Sequence, residues 1–350
     1  MPTGTKAGFT NPWSGDIMTA PVILDKTRNV IVGIGNALVD ILAHEDDAFV
    51  AKTGFRKGGM NLVDSAFIDK TLSMASGTPV VVPGGSACNT VIGVGKLGGN
   101  ARFIGKCGQD AMGDLFSKDL RNSNVNPFLM ISGLPTGRVL SIVAPDAQRS
   151  MFTYLGAASE MTPAEIAACR FSDAAIVHVE GYLLFNSELI ISALRRAKED
   201  GALVSLDLAS YTVVESSKVL LETLITEYVD ILIANEDEAA AFTGYVDEQK
   251  AIQALSERAK IAVLKIGRRG SYIAHDGKIV QIDPVGKGSA IDTTGAGDLW
   301  ASGFLFGLTR GYDIELCGRL ASACGYEVCQ VVGAAIPDQG WSRIKKITEE

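Results

Sequence analysis

Asp230-Ile231-Leu232-Ile233-Ala234, running straight into Asn235-Glu236-Asp237-Glu238, decides the fold class. A short β-branched apolar run reads as a buried strand, and an acidic cluster directly behind it suits the positive end of a helix. The same beat extends both ways. Upstream, strands over 174–179 and 202–208 precede helices over 187–200 and 216–228. Downstream, a helix over 248–260 leads to a strand over 261–266. Strands alternating with helices predict a doubly wound, mainly parallel α/β sheet. Ligands of such sheets collect at the carboxyl ends of the strands. Asn235 and Glu238 lie at one such end, Gly267 at the next, and Asp40 just after the first apolar run, Asn29 to Gly35.

Residues 101–105 read as another strand and 110–121 as a helix. From 125 to 155 the pattern changes: 138–143 and 150–154 alternate as a β-hairpin around the turn 144–148, an insertion that fits a lid. The mixed, charged stretch 44–69 reads as part of a small subdomain. A second hairpin joins 272–275 to 278–282, and a last long helix runs from about 313 to 331. The opening 28 residues read as an arm ahead of a single domain over 29–345.

Composition narrows the function. With 350 residues, 47% of them hydrophobic, the chain can bury a large core. A net charge of −8 without a Lys/Arg-rich run excludes the basic footprint of a nucleic-acid binder. Six cysteines without a C-x-x-C pair and three scattered histidines support neither a zinc site nor a disulfide framework. No apolar run approaches the length of a membrane span, and the first residues lack the features of a secretory signal. The expectation is a cytoplasmic protein, monomer or homodimer, with small-molecule partners.

The chemistry concentrates in Asp292-Thr293-Thr294-Gly295-Ala296-Gly297-Asp298, which opens a helix with apolar residues at Ala301, Phe304, Leu305 and Leu308. A helix start leaves backbone N–H groups unpaired and partly positive. Glycines at 295 and 297 let an anion approach those groups, and Asp298 sets a carboxylate beside it, placed to take a proton from an attacking hydroxyl. A capped helix start is the plainer reading of these residues. A second cluster, Gly84-Gly85-Ser86-Ala87-Cys88-Asn89, offers bare backbone and an amide that both donates and accepts. Gly93, Gly95 and Gly98 spell G-x-G-x-x-G, but inside a small-residue helical run, so they read as close helix packing. Walker A and the protein-kinase motifs are absent.

The two clusters together resemble the PfkB/ribokinase family of carbohydrate and nucleoside kinases, and the chain is closest in look to its bacterial adenosine-kinase-like members. The resemblance covers roughly Val30 to Pro337 and implies a ribokinase-like fold with a small β-sheet lid, built from segments about 42–68 and 125–155. It implies an ATP-dependent phosphotransferase with Mg²⁺ as cofactor. Gly295, Ala296 and Gly297 would form the anion hole, Asp298 would be the base, and Arg149 would meet the phosphates. Asn36, Asp40, Gly84, Gly85 and Asn89 would bind the acceptor. Asn235, Lys265, Gly267, Gly270 and Thr293 would bind the nucleotide, and Glu238 would hold Mg²⁺ through water. The acceptor implied is a nucleoside, adenosine first, with Phe55, Met60, Phe152 or Tyr182 as candidates for the base slot. A sugar such as ribose or fructose is the alternative, and Arg56 with Lys57 could meet a sugar phosphate. A non-catalytic nucleotide-binding protein and a dehydrogenase using Gly33 and Gly35 are the remaining readings.

Overall fold

The computed structural model describes residues 25, 27–55, 57, 59–145 and 149–349. Most of the expected arm therefore lies outside the described residues. Fourteen strands form among the described residues: β1 Val30–Ile34, β2 Leu38–His44, β3 Gly59–Leu62, β4 Val80–Gly84, β5 Asn100–Gly108, β6 Val125–Ser132, β7 Gly137–Val143, β8 Arg149–Tyr154, β9 Ala174–Glu180, β10 Leu203–Asp207, β11 Ile231–Asn235, β12 Ile261–Lys265, β13 Ser271–His275 and β14 Lys278–Ile282.

Nine of them make one twisted sheet in the order β14-β13-β12-β11-β10-β9-β1-β5-β6. Every pair from β12 to β6 is parallel, and the β13–β14 hairpin adds two antiparallel strands at one edge. The doubly wound α/β expectation is met. Helices cover both faces, which is why β9 is buried at all seven positions and is apolar apart from His178 and the closing Glu180. One face packs Val177, Val179 and Leu206 against Ile190 and Leu194, while the other packs Ile176, Ile231 and Val263 against the helices Ser86–Leu97 and Ala296–Arg310. Strand order reverses at β1, which has β9 on one side and β5 on the other, and a crevice opens at such a switch point.

The remaining five strands form a second sheet, β3-β8-β7-β2-β4. This sheet differs from the expected lid segments 42–68 and 125–155. It takes in β2 and β4, while Val125–Ser132 joins the large sheet beside β5. Asp40 consequently lies within a strand, opposite Val82 and Val139, rather than in a loop behind β1. Alternation gives the small sheet two faces. Ile41, Leu140, Ile142 and Phe152 turn to one side and pack with Phe49 and Ile68. Leu38, Asp40, Met60, Val139, Ser141, Met151 and Thr153 turn to the other and line a cavity. Phe152 is thus removed from the base-slot candidates, and Phe55 goes with it: it packs on Phe67 and Phe152, ring centroids 5.4 and 5.5 Å away.

Two helical details also differ. The helix expected over 216–228 begins earlier, at Tyr211, and the last long helix spans Ile314–Val328 with a further helix, Asp338–Lys346, behind it. Gly93 and Gly95 lie where helices touch: a Cβ on Gly93 would come 2.3 Å from Ser302 Oγ, and one on Gly95 would come 2.0 Å from the Ser123 carbonyl oxygen. That close approach of Ser86–Leu97 to Ala296–Arg310 brings residues more than two hundred positions apart into one site.

Candidate active site

Gly295 caps the helix Ala296–Arg310 with φ +72°, a left-handed conformation that favours glycine, and no side chain caps this end. The turn before it is pinned from behind. Asp292 accepts hydrogen bonds from the Thr294 amide (3.0 Å) and hydroxyl (2.7 Å) and from the Gly333 amide (2.9 Å). Asp298, in the first helical turn, points into the cavity with Thr293, Thr294, Gly295, Ala296 and Gly297. Ser86 Oγ donates to one of its carboxylate oxygens at 2.7 Å and Asn89 Nδ2 to the other at 3.0 Å. Burial pushes this carboxyl above its usual range; the Asn89 and Ser86 hydrogen bonds pull the other way, and the nearby Asp207 charge adds to the rise.

The second glycine cluster meets the β1–β2 turn. Gly85 has φ +95°, and a Cβ there would strike the Asn36 carbonyl at 2.5 Å. A Cβ on Gly84 would fall 2.4 Å from the Asp40 carboxylate, so that carboxylate lies against bare backbone. Asn36 donates through its amide (2.9 Å) and its Nδ2 (2.6 Å) to Glu180 Oε1, and the Ala87 amide donates to Glu180 Oε2 at 3.0 Å. Glu180 ends β9 fully buried, and burial lifts its carboxyl to about 7. Sequence reasoning passed over Glu180 and Asp207, and gave Ser86, within the second glycine cluster, no role of its own. The only local signal was a lone acid closing a buried apolar strand.

On the other side of the helix start, Asn235 and Glu238 form a reciprocal capping box. The Asn235 amide and Nδ2 donate to the two Glu238 oxygens at 2.8 and 2.7 Å, and the Glu238 amide donates back to Asn235 Oδ1 at 2.9 Å. Glu238 is buried, and burial together with Asp207 raises it to about 7. Lys265 ends β12 and donates to Asp207 Oδ2 at 2.8 Å. Gly267 (φ +55°) and Gly270 (φ +97°) shape the turn behind it, and only glycine fits at 270, where a Cβ would meet the Ile282 carbonyl at 2.0 Å. Neither of these two glycines lines the cavity. Arg149 begins β8, and its side chain lies outside the described residues, as do Arg56 and the turn residues 146–148. Lys57 pairs with Asp47 at 2.6 Å.

The cavity, about 830 Å³, runs between the strand ends and the small sheet and gathers Asn36, Asp40, Gly85, Asn89, Asn235, Glu238, Lys265 and the 293–298 turn. Its two ends differ. Under the small sheet its lining is mostly apolar, with Leu38, Met60, Leu62, Val139, Met151 and Leu155 interrupted by Asp40, Ser141 and Thr153, and Tyr182 and Phe185 also border the cavity. Toward the strand ends it is ionic. A helix start with no side-chain cap, whose Ala296 amide turns back to the Thr293 carbonyl at 3.2 Å while the Gly295 and Gly297 positions stay bare, a carboxylate aimed beside it and an enclosed slot for an acceptor together suit transfer of an anionic group to a hydroxyl.

Comparison with known proteins agrees. The description "pfkB family carbohydrate kinase" matches residues 61–340. The 5-dehydro-2-deoxygluconokinase of Bacillus subtilis is 30% identical over 255 residues, covering 69% of this chain and 78% of that protein. Among solved structures, a probable sugar kinase from Rhizobium etli CFN 42 superposes with a TM-score of 0.85 at 33% identity, over 92% of this chain and 99% of that one. The adenosine kinase from Sinorhizobium meliloti gives 0.81 at 31% identity with the same coverage. Among the described residues no helix is long and apolar enough to cross a membrane.

Proposed function

We propose, from the premise that this chain belongs to the pfkB family of carbohydrate kinases and is a kinase acting on a sugar or nucleoside, that its acceptor is the 5′-hydroxyl of a nucleoside, adenosine first. The observation carrying this reading is the apolar part of the cavity lining, which includes Met60, Met151 and Leu155 from the small-sheet side together with Tyr182 and Phe185. A flat heteroaromatic base gains from such a slot, whereas a free sugar would leave it empty. Asp40 and Asn36, at the boundary with the polar end, suit the two ribose hydroxyls.

The phosphoryl group then sits at the turn of Gly295, Ala296 and Gly297, where the Ala296 amide would exchange its 3.2 Å bond to the Thr293 carbonyl for a phosphoryl oxygen, and Asp298 takes the proton of the attacking hydroxyl. Asn89 holds Asp298 and faces the acceptor. Asn235, Lys265 and Thr293 line the phosphate side, with the Gly267–Gly270 turn beyond. Among the described residues no three His, Cys, Asp or Glu side chains converge as a metal cage. Mg²⁺ suits this arrangement when it travels on the nucleotide phosphates and keeps its waters. Glu238 spends one lone pair of each oxygen on its capping box, leaving the others to hold such a hydrated ion.

A carbohydrate acceptor is the second reading, favoured by the names of the Bacillus subtilis and Rhizobium etli relatives. Against it, the acceptor end of the cavity has no cation among the described residues for an acidic or phosphorylated sugar. ADP release measured with ATP–Mg²⁺ over adenosine, other nucleosides, ribose, fructose and 5-dehydro-2-deoxygluconate separates the two. A kcat/KM for any sugar above that for every nucleoside rejects the nucleoside assignment.

A further inference from the structure

The Lys265 ammonium reaches across the strand ends to the start of the helix Ala296–Arg310. Its Nζ stands 2.9 Å from the point a Cβ on Gly297 would occupy, so glycine at 297 is what leaves it room. Asp207, buried, holds it from behind: one carboxylate oxygen takes Nζ at 2.8 Å and the other accepts the Ala209 amide at 2.9 Å. Ala209 is in the left-handed region, φ +65°, which disfavours a residue with a Cβ, and it lines the cavity. A buried ion pair stabilises a fold poorly, because desolvating both charges offsets their attraction, and an apolar pair would serve a structural position as well. Lys265 is also the one cation among the described cavity-lining residues, against Asp40, Glu180, Glu188, Asp207, Glu238 and Asp298.

We propose that Lys265 is a catalytic cation that touches the phosphoryl group during transfer, and that Asp207 is the positioning residue that aims it. The inference rests on the phosphotransferase reading above. In the step, the acceptor oxygen bonds to the γ-phosphorus while the bond to the β–γ bridging oxygen breaks. The electron pair of that bond leaves with ADP, and the acceptor proton passes to Asp298. Charge on the equatorial phosphoryl oxygens meets Lys265 on one side and the helix-start amides on the other.

The test compares wild type with Lys265→Met, Lys265→Arg, Asp207→Asn and the double variant Asp207→Asn/Lys265→Met. It measures kcat and KM with adenosine or the most active acceptor of the panel. It also measures calorimetric binding of ADP with and without aluminium fluoride, a mimic of the group in flight. Lys265→Met is expected to lower kcat by about 10²–10³, the usual cost of one lost oxyanion contact. Its KM for ATP should stay within about fivefold, since the contact forms chiefly in the transition state. The added affinity that aluminium fluoride gives ADP should vanish. Lys265→Arg should recover part of kcat, and Asp207→Asn should cost less than Lys265→Met. The double variant removes both buried charges at once, which keeps the fold available if a single variant loses it. Wild-type kcat in Lys265→Met or in the double variant overturns the inference and leaves the phosphotransferase reading standing. So does a raised KM for ATP at unchanged kcat, which would make Lys265 a ground-state contact. A wild type that releases no ADP with any acceptor removes the reading and the inference together.

Discussion

Replacing Asp298 by Asn keeps its size and deletes its basicity. Ser86 Oγ, 2.7 Å from one carboxylate oxygen, can still donate to the Asn carbonyl, while Asn89, now 3.0 Å from the other, must turn its own amide to offer an acceptor. Packing therefore survives. The loss falls on proton transfer, which contributes about 10²–10⁴ in rate when a positioned base supplies it. At about 1.4 kcal/mol per decade, the variant gives up about 3–5 kcal/mol of transition-state stabilisation. Stability moves the other way, because burial holds the wild-type carboxyl above its usual range and ionising it in place is costly. The assay is coupled ADP release near pH 7.5, alongside thermal unfolding and calorimetric ADP binding. The expected result is a kcat at least about 10²-fold lower, with ADP affinity preserved and a melting temperature at or above that of wild type. A variant within about tenfold of wild type would refute the assignment of the base, since that is less than general base catalysis supplies.

Gly297→Ala would put a methyl group 2.9 Å from Lys265 Nζ, a flexible chain end that can move. The fold should hold while kcat/KM for ATP falls by about tenfold or more, the approach of the phosphoryl group being obstructed; unimpaired kinetics would speak against an anion at these amides. Ser86→Ala removes a hydrogen bond to the charged form of Asp298, so its pKa should rise and the acidic limb of the kcat/KM profile should move to higher pH. An unmoved limb would assign that titration to another group. Glu180 titrates at about 7 in the fold against an ordinary 4.5. Between those values the unfolded chain has released the proton that the folded chain keeps, so Glu180 contributes about 3 kcal/mol of stability that is lost as pH rises across the window, and Glu238, raised likewise, adds to the fall. Urea unfolding from pH 4.5 to 8 checks this, with Glu180→Gln flattening the slope; equal slopes would exclude the role. Met151→Arg brings a cation to the apolar end of the cavity and should lower kcat/KM for adenosine by about 10-fold or more, one misplaced pocket group costing about 1–3 kcal/mol. Adenosine turnover indifferent to that change would move the acceptor elsewhere.

The large sheet was legible because a parallel strand covered on both faces must be apolar along its length, and 231–234 and 261–264 are. The helix start at Gly295 was legible because its chemistry is local, all in seven consecutive residues. What was not legible depends on pairing. Residues 38–44 and 125–132 are both β-rich, and nothing within either says which sheet it joins; that is settled by partners up to a hundred positions away. Parity misled in the same way. Phe152 sits between Met151 and Thr153, so one of these two sets faces the cavity and the other packs on Phe49 and Ile68, and only the assembled sheet tells which. Glu180 and Asp207 each look like an ordinary acid closing a strand. Their weight comes from topology: β9 and β10 end in register, Glu180 beside Asp207, while β12 runs two residues past that level, so Lys265 reaches back to Asp207 and Glu180 meets Asn36. The resulting site holds far more acid than base among its described residues, so a polyanionic nucleotide entering it needs compensating positive charge at the phosphates. The helix start without a side-chain cap, Lys265 and a nucleotide-borne divalent cation together supply that charge, and they converge on the one place where the transferred group has to sit.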